Sequence, residues 1–290
     1  MRYRQLQLFC TLLVGSPLAM AIDLSGLWDF NRPELSEQRF RAALATANAD
    51  EALILQTQIA RTYGLRKDFV RARQILANIE SQMPTAGAET RVRFELELGR
   101  TYASATHPAT SLTPEAKERA RTAYRQAFEL ARGEHMDGLA VDALHMMAFV
   151  DTSPIDQLKW DRQAIAIVEA STQESAKQWE ASLRNNVGYA LQQLGRYDEA
   201  LVQFQKALEL RERGKDDEAT RVARWMVAWT LRSLQRYDEA IAMQLQLERE
   251  CDAVGAPDPY VFEELELLYR QKGDETTARR YAQRKKAVAK

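Results

Sequence analysis

The 290-residue sequence is poor in the residues that make small stapled folds or turn-rich sheets: it has two cysteines, twelve glycines, eight prolines and three histidines. Cys10 sits in an N-terminal apolar stretch and Cys251 near the other end, so no disulfide framework is available and stability has to come from packing. Few turn formers argue against sandwiches and barrels and favour long helices. The charge is nearly balanced, 40 Lys and Arg against 41 Asp and Glu, so no global field draws the chain to nucleic acid, and no nucleic-acid partner is expected. Leu6 to Val14, extended through Gly15 and Ser16 to Pro17, is the main apolar run and falls short of the ~20 residues of a membrane-spanning helix. Catalytic motifs are missing as well: there is no His-Glu-x-x-His pair, Gly-x-Ser-x-Gly elbow, phosphate loop or Ser-x-x-Lys pair. The expectation is a non-enzyme without cofactor or metal. What is present is a 46% hydrophobic, 28% charged composition, the balance of a folded chain.

Residues 1–21 read as a secretory signal peptide. Arg2 and Arg4 supply the positive start, the apolar run follows, and Ala19-Met20-Ala21 is a small-x-small cleavage site. Phe9 before Cys10 lacks the small residue of a lipidation site. The expected location is the periplasm or cell envelope, without membrane insertion after cleavage, and Cys251 is then the sole thiol.

The remainder is a repeat. Gly195-Arg-Tyr-Asp-Glu-Ala200 recurs forty residues later as Gln235-Arg-Tyr-Asp-Glu-Ala240. Helical periodicity precedes each copy, over Leu183–Leu194 and Ala223–Leu234, and follows it, over Tyr197–Leu210 and Tyr237–Leu247, so the unit is a helical hairpin. The small residue expected midway in each first helix is placed at 60, 99, 148, 188, 228 and 266, with an excess of about nine residues after Tyr102. Tyr, Phe and Leu at i, i+3, i+4 and i+7 form a stripe that no hairpin can bury alone. The spacing predicts a half-repeat helix around Phe40–Leu44 within 22–48. About six hairpins then follow over 49–290, some thirteen helices in all, with a mobile insertion near 104–113. Thr113-Pro114, Ser153-Pro154 and Asp258-Pro259 open helices, and Ser171-Thr-Gln-Glu174 reads as a capping box.

The run Asn185-Asn186-Val187-Gly188-Tyr189-Ala190-Leu191, continued by Gly195, Tyr197, Ala200, Phe204 and Ala207, resembles the tetratricopeptide repeat (TPR) family. The roughly forty-residue period is similar to the longer variety in kinesin light chains. Arg184 and Arg224 depart from the family pattern, which has Trp at that position. The resemblance implies an all-α, right-handed α-solenoid whose first helices line a concave groove that binds a peptide or partner protein. It places Arg61, Arg93 and Arg100 in the N-terminal half of that groove. His145, Phe149, Asn185, Asn186, Tyr189, Gln192, Trp225, Trp229 and Arg232 would fall in its centre and C-terminal half. Asn pairs with peptide backbone, and Trp and Tyr give large contact area at low entropy cost. Val222 and Met226 stand where carboxylate-binding members carry cations, which speaks against recognition of a free C-terminus. A glycan-binding module stacking sugars on Tyr189, Trp225 and Trp229 is the alternative.

Other chemistry reads as structural. His135, Asp137, Asp142 and His145 have a spacing open to metal, but it is also that of a solvated face. Asp198-Glu199 and Asp238-Glu239 suit the positive end of a helix. The basic tail from Arg279 suits the outer side of a terminal capping helix.

Overall fold

The computed structural model describes residues 22–214 and 216–288, so the expected signal peptide lies outside the described residues. Every regular element described is helical. Helix α1 (Pro33–Ala43) is followed by the hairpins α2 (Ala49–Leu65) with α3 (Phe69–Glu80), α4 (Ala88–Arg100) with α5 (Pro114–Gly133), and α6 (Asp137–Val150) with α7 (Pro154–Ala170). A single turn, α8 (Glu174–Lys177), leads to α9 (Glu180–Gln193) with α10 (Tyr197–Arg213), α11 (Asp217–Ser233) with α12 (Tyr237–Ala253), and α13 (Pro259–Gln271) with α14 (Glu275–Val288). Apart from that single turn, the α-helices among the described residues number the expected thirteen.

The hairpins stack in chain order into an α-solenoid. The second helix of each packs on the first helix of the next, at α5–α6, α7–α9, α10–α11 and α12–α13. The first joint differs, because α2 meets α4 directly while α3 barely touches it. Helix α1 packs on α2. Buried Leu, Val, Phe and Ala from neighbouring hairpins share clusters, such as Val141, Val168, Leu191, Phe204 and Val227. Adjacent units thus hide the stripes that none buries alone.

Two of the small register positions show why they are small. A Cβ on Gly188 would lie 2.7 Å from the Phe204 ring, and one on Gly99 would lie 2.5 Å from the ring of Tyr124, both rings being fully buried. At the sixth register position the small residue is absent: Glu266 pairs instead with Arg270 at 2.9 Å and with Lys285 of α14 at 3.2 Å.

Six of the turns share one design. Lys67, Gly195, Gln235 and Gly273 within hairpins, and His135 and Gly255 between them, all have left-handed φ between 56° and 79°. After each, an amide reaches back five residues: Asp68 to Tyr63, Arg196 to Leu191, Arg236 to Leu231 and Asp274 to Tyr269, all at 2.9 Å, with Met136 to Ala131 and Ala256 to Cys251 at 2.8 and 3.0 Å. This closure satisfies carbonyls that a helix end leaves open. Gln235 holds at φ 61° what Gly195 holds at 72° without a Cβ. Gln235→Gly is therefore expected to stabilise by about 0.5–1 kcal/mol, relief of left-handed strain exceeding the glycine's extra chain entropy. A rise in urea midpoint checks this, and a fall would show that the turn absorbs the strain.

Caps form at Thr113, Ser153 and Asp258, whose side chains accept from the amides of Ala116, Asp156 and Tyr260. The capping box at Ser171 does not form. Ser171 closes α7, its amide donating to Ile167, while its hydroxyl accepts from Gln173. Gln173 instead ties the joint, donating to the His135 carbonyl at 2.6 Å and accepting from the Asp137 amide at 3.1 Å. The insertion also differs from the free loop expected. His107 stacks on Phe69 at 3.7 Å and bonds Ser104 and Thr101, and Thr106 donates to the Gly64 carbonyl.

Arg184 and Arg224 show what replaces the family's Trp. Arg184 reaches Glu169 of the preceding second helix at 2.7 Å and Gln203 of its own at 3.2 Å. Arg224 likewise reaches Glu212 at 3.2 Å and Glu250 at 2.6 Å. Each guanidinium fork joins three helices where a ring would fill one gap.

Candidate functional site in the first-helix wall

Most of the polar residues expected to face a groove partner are engaged within the chain, and they form a seam. Arg61 on α2 lies 3.8 Å from Glu97 on α4. Arg100 bonds Glu97 within α4 and Asp142 on α6, each at 2.5 Å. His145 on α6 meets Asn186 on α9 at 3.4 Å. Gln192 on α9 donates to Ser233 on α11 at 2.6 Å, and Arg232 on α11 forks onto Glu264 of α13 at 2.7 and 2.9 Å. Each first helix is thus stitched to the next along the whole array.

Electrostatics follow from burial. Desolvation pushes the Asp142 carboxyl upward, but Arg100 and Arg61 outweigh it and hold the group below its usual range. Burial lowers His145, and Arg100 and Arg61 add to this against Asp142, so the imidazole is held neutral. Glu97, which lies between the two arginines, and Asp161 behind Asn186 carry no sequence motif and escape sequence reading. Burial raises Asp161 to about 7, with the Asn186 amide opposing the rise.

These contacts correct the sequence expectation for Gln192, which is buried rather than presented. Arg100 and Arg232 point into ion pairs, and Arg93 pairs with Glu89 of its own helix. His145 packs edge-on to Phe149 at 5.3 Å and against Trp179 at 5.2 Å. Asp142 and His145 are committed to the seam and Asp137 to Arg132. Among the described residues, no three His, Cys, Asp or Glu side chains gather around a metal position.

What the seam leaves open is aromatic. Tyr189, Trp229 and Trp225 form a ladder, with centroids 6.0 Å apart between the first two and 5.7 Å between the last two. Tyr189 is 45% exposed, and Trp225 and Trp229 are half-buried. Asn185, one turn before Tyr189, lines a pocket of about 370 Å³ with Ser182, Arg211 and Asp216. One acid at the start of each of α10 and α12 is held down by a local arginine: Arg196 grips Glu199 with two bonds at 2.6 and 2.7 Å, and Arg236 grips Glu239 with two at 2.7 Å. The tail cations turn inward too, Arg284 to Glu248 and Asp252, and Lys285 to Glu266. No described helix is long and apolar enough to cross a membrane.

Residues 179–249, which carry the whole aromatic ladder, match the tetratricopeptide repeat model. No curated protein matches the chain in sequence. Among solved structures, the apo form of RapI is 14% identical, with a TM-score of 0.70 over 90% of this chain and 72% of that one. A Rap protein complexed with Competence and Sporulation Factor is 15% identical at a TM-score of 0.53, over the same shares of the two chains. The Signal Transduction ATPase with Numerous Domains protein from Pyrococcus horikoshii, which has a tetratricopeptide repeat sensor, is 10% identical at 0.67, and this chain spans 39% of its length. Repeat match, hairpin geometry and solenoid likeness agree: residues 179–249 match the tetratricopeptide repeat model, and helical hairpins of the same fold continue the array on both sides.

Proposed function

We propose that the chain is a non-catalytic interaction scaffold that holds a peptide segment or partner protein against the wall of first helices, at Asn185, Tyr189, Trp225 and Trp229. One observation carries this reading: the seam engages the polar groups of the wall and leaves a ladder of three large rings open. Rigid aromatic surface next to an amide side chain suits an extended peptide. A structural neighbour, the Rap protein, is complexed with a factor, which supports a holding role for an array of this kind. Glu199 and Glu239 at helix starts are paired with arginine, which favours binding over acid-base chemistry. Arg2, Arg4, the apolar run and Ala19-Met20-Ala21 support export to the periplasm or cell envelope as the place of action.

The test replaces Asn185, Tyr189 and Trp229 together by Ala and cross-links the tagged protein in its native envelope. Loss of the cross-linked partner with unchanged helical circular dichroism is expected. Full retention would overturn the groove assignment. Tryptophan quenching by cell-wall fragments but not by peptides would transfer the ladder to sugar stacking.

A further inference from the structure

A second recess lies in the N-terminal half of the same wall, away from the aromatic ladder. It has a volume of about 210 Å³, and Leu65, Met146, Phe149 and Trp179 form its walls, with Ala105 of the insertion at its mouth. Its floor is the charged part of the seam.

Two floor groups lack partners. Among the described residues, the Arg61 guanidinium makes no hydrogen bond; its side chain is 24% exposed and its nearest carboxylate oxygen is Glu97 Oε1 at 3.8 Å. Trp28 and Phe30 cover its plane at 5.4 Å and leave its edge donors unsatisfied. The second group is Glu97 Oε2, which has no hydrogen-bond partner although the residue is only 2% exposed. A donor without a protein partner and an unsatisfied buried acceptor thus flank one small chamber, and the buried acceptor is costly to leave unmet.

The charge of the floor selects the guest. Two arginines stand over two carboxylates beside a neutral imidazole, so an ion of either sign would upset a balanced set of buried charges. A neutral group that both accepts and donates satisfies both orphans, and the amide is the peptide group that does so. Apolar walls call for an apolar body beside it. We infer that this recess binds an apolar residue of a peptide, the side chain between Phe149, Trp179 and Met146. The adjoining backbone carbonyl accepts from Arg61, and the neighbouring N–H donates to Glu97 Oε2. This rests on the peptide-binding reading but assigns a separate anchor, one that selects an aliphatic side chain.

The test uses protein labelled with 5-fluorotryptophan, titrated with N-acetyl-leucinamide and with N-acetyl-glycinamide while fluorine resonances are followed. Trp179→Phe assigns its own line. The Trp179 line is expected to shift saturably with the leucine compound and to stay still with the glycine one, while the Trp225 and Trp229 lines do not move. Arg61→Gln should weaken binding by about tenfold, the loss of one charge-assisted bond. Ala105→Phe, an exposed loop substitution that plugs the mouth and leaves the seam intact, should abolish the shift. No shift of Trp179 up to the solubility limit, an equal shift with the glycine compound, or an undiminished shift in Ala105→Phe would overturn the anchor. Movement of the Trp225 and Trp229 lines alone would overturn it while leaving the ladder reading standing.

Discussion

Arg100→Ala is expected to cost the fold about 3–5 kcal/mol, the largest loss from any single polar residue of the wall. The substitution leaves Glu97 and Asp142 buried, with Arg61 as their sole remaining counter-charge. Removing one member of a buried ionic set strands the others without water. Urea unfolding measures the change, and adding Glu97→Gln to the variant should return part of it, because one stranded charge is gone. Arg236→Ala, which removes an exposed pair on the outer turn, should not move the midpoint measurably. If Arg100→Ala unfolded no earlier than Arg236→Ala, the seam would not hold the array together and Arg100 would return to the list of partner contacts.

Asp161→Asn should work in the opposite direction. Its carboxyl is buried and one oxygen lacks a partner, which raises the group from 3.8 to about 7. The folded state therefore keeps a proton that the unfolded chain releases, and stability falls as pH climbs from about 4 to about 7 and then levels off. A shift of that size corresponds to about 4 kcal/mol. The Asn variant should be more stable than the parent by an amount approaching this at pH 8, and nearly equal to it at pH 4. His145 titrates with the opposite sense, its imidazole depressed, so its contribution is lost as pH drops below its unfolded value; it is common to both proteins and cancels in the difference. A pH-independent difference between the two proteins would refute the buried-acid account.

The hairpins were legible because the sequence repeats its chemistry: Gly188 and Phe204 demand each other, and the Gly195 turn recurs as Gln235 with the same left-handed backbone. The wall was harder to read. Register alone puts Arg61, Arg100, Gln192 and Arg232 on the inner face, but says nothing about whether a partner or the next helix claims them. The clue lay in complementary residues about one period further on, Glu97, Asp142, Ser233 and Glu264. That signal links positions 32 to 42 residues apart and disappears when each repeat is read by itself. Trp28 and Phe30 over Arg61, and Trp179 before α9, lie outside the repeating pattern, so no periodic argument could have placed them. Ser171 misled for a local reason: its spacing to Glu174 is that of a cap, but the single turn beyond it is too short to use one.

The lone thiol among the described residues gives this architecture a built-in clock. Cys251 is buried near the end of α12, and its reactivity is suppressed further because burial raises its thiol above the usual range. It is 6% exposed and lines a recess of about 650 Å³ with Trp225, Leu247 and Val261, so the rate of alkylation at this one sulfur reports how freely a reagent enters the joint between the last two hairpins.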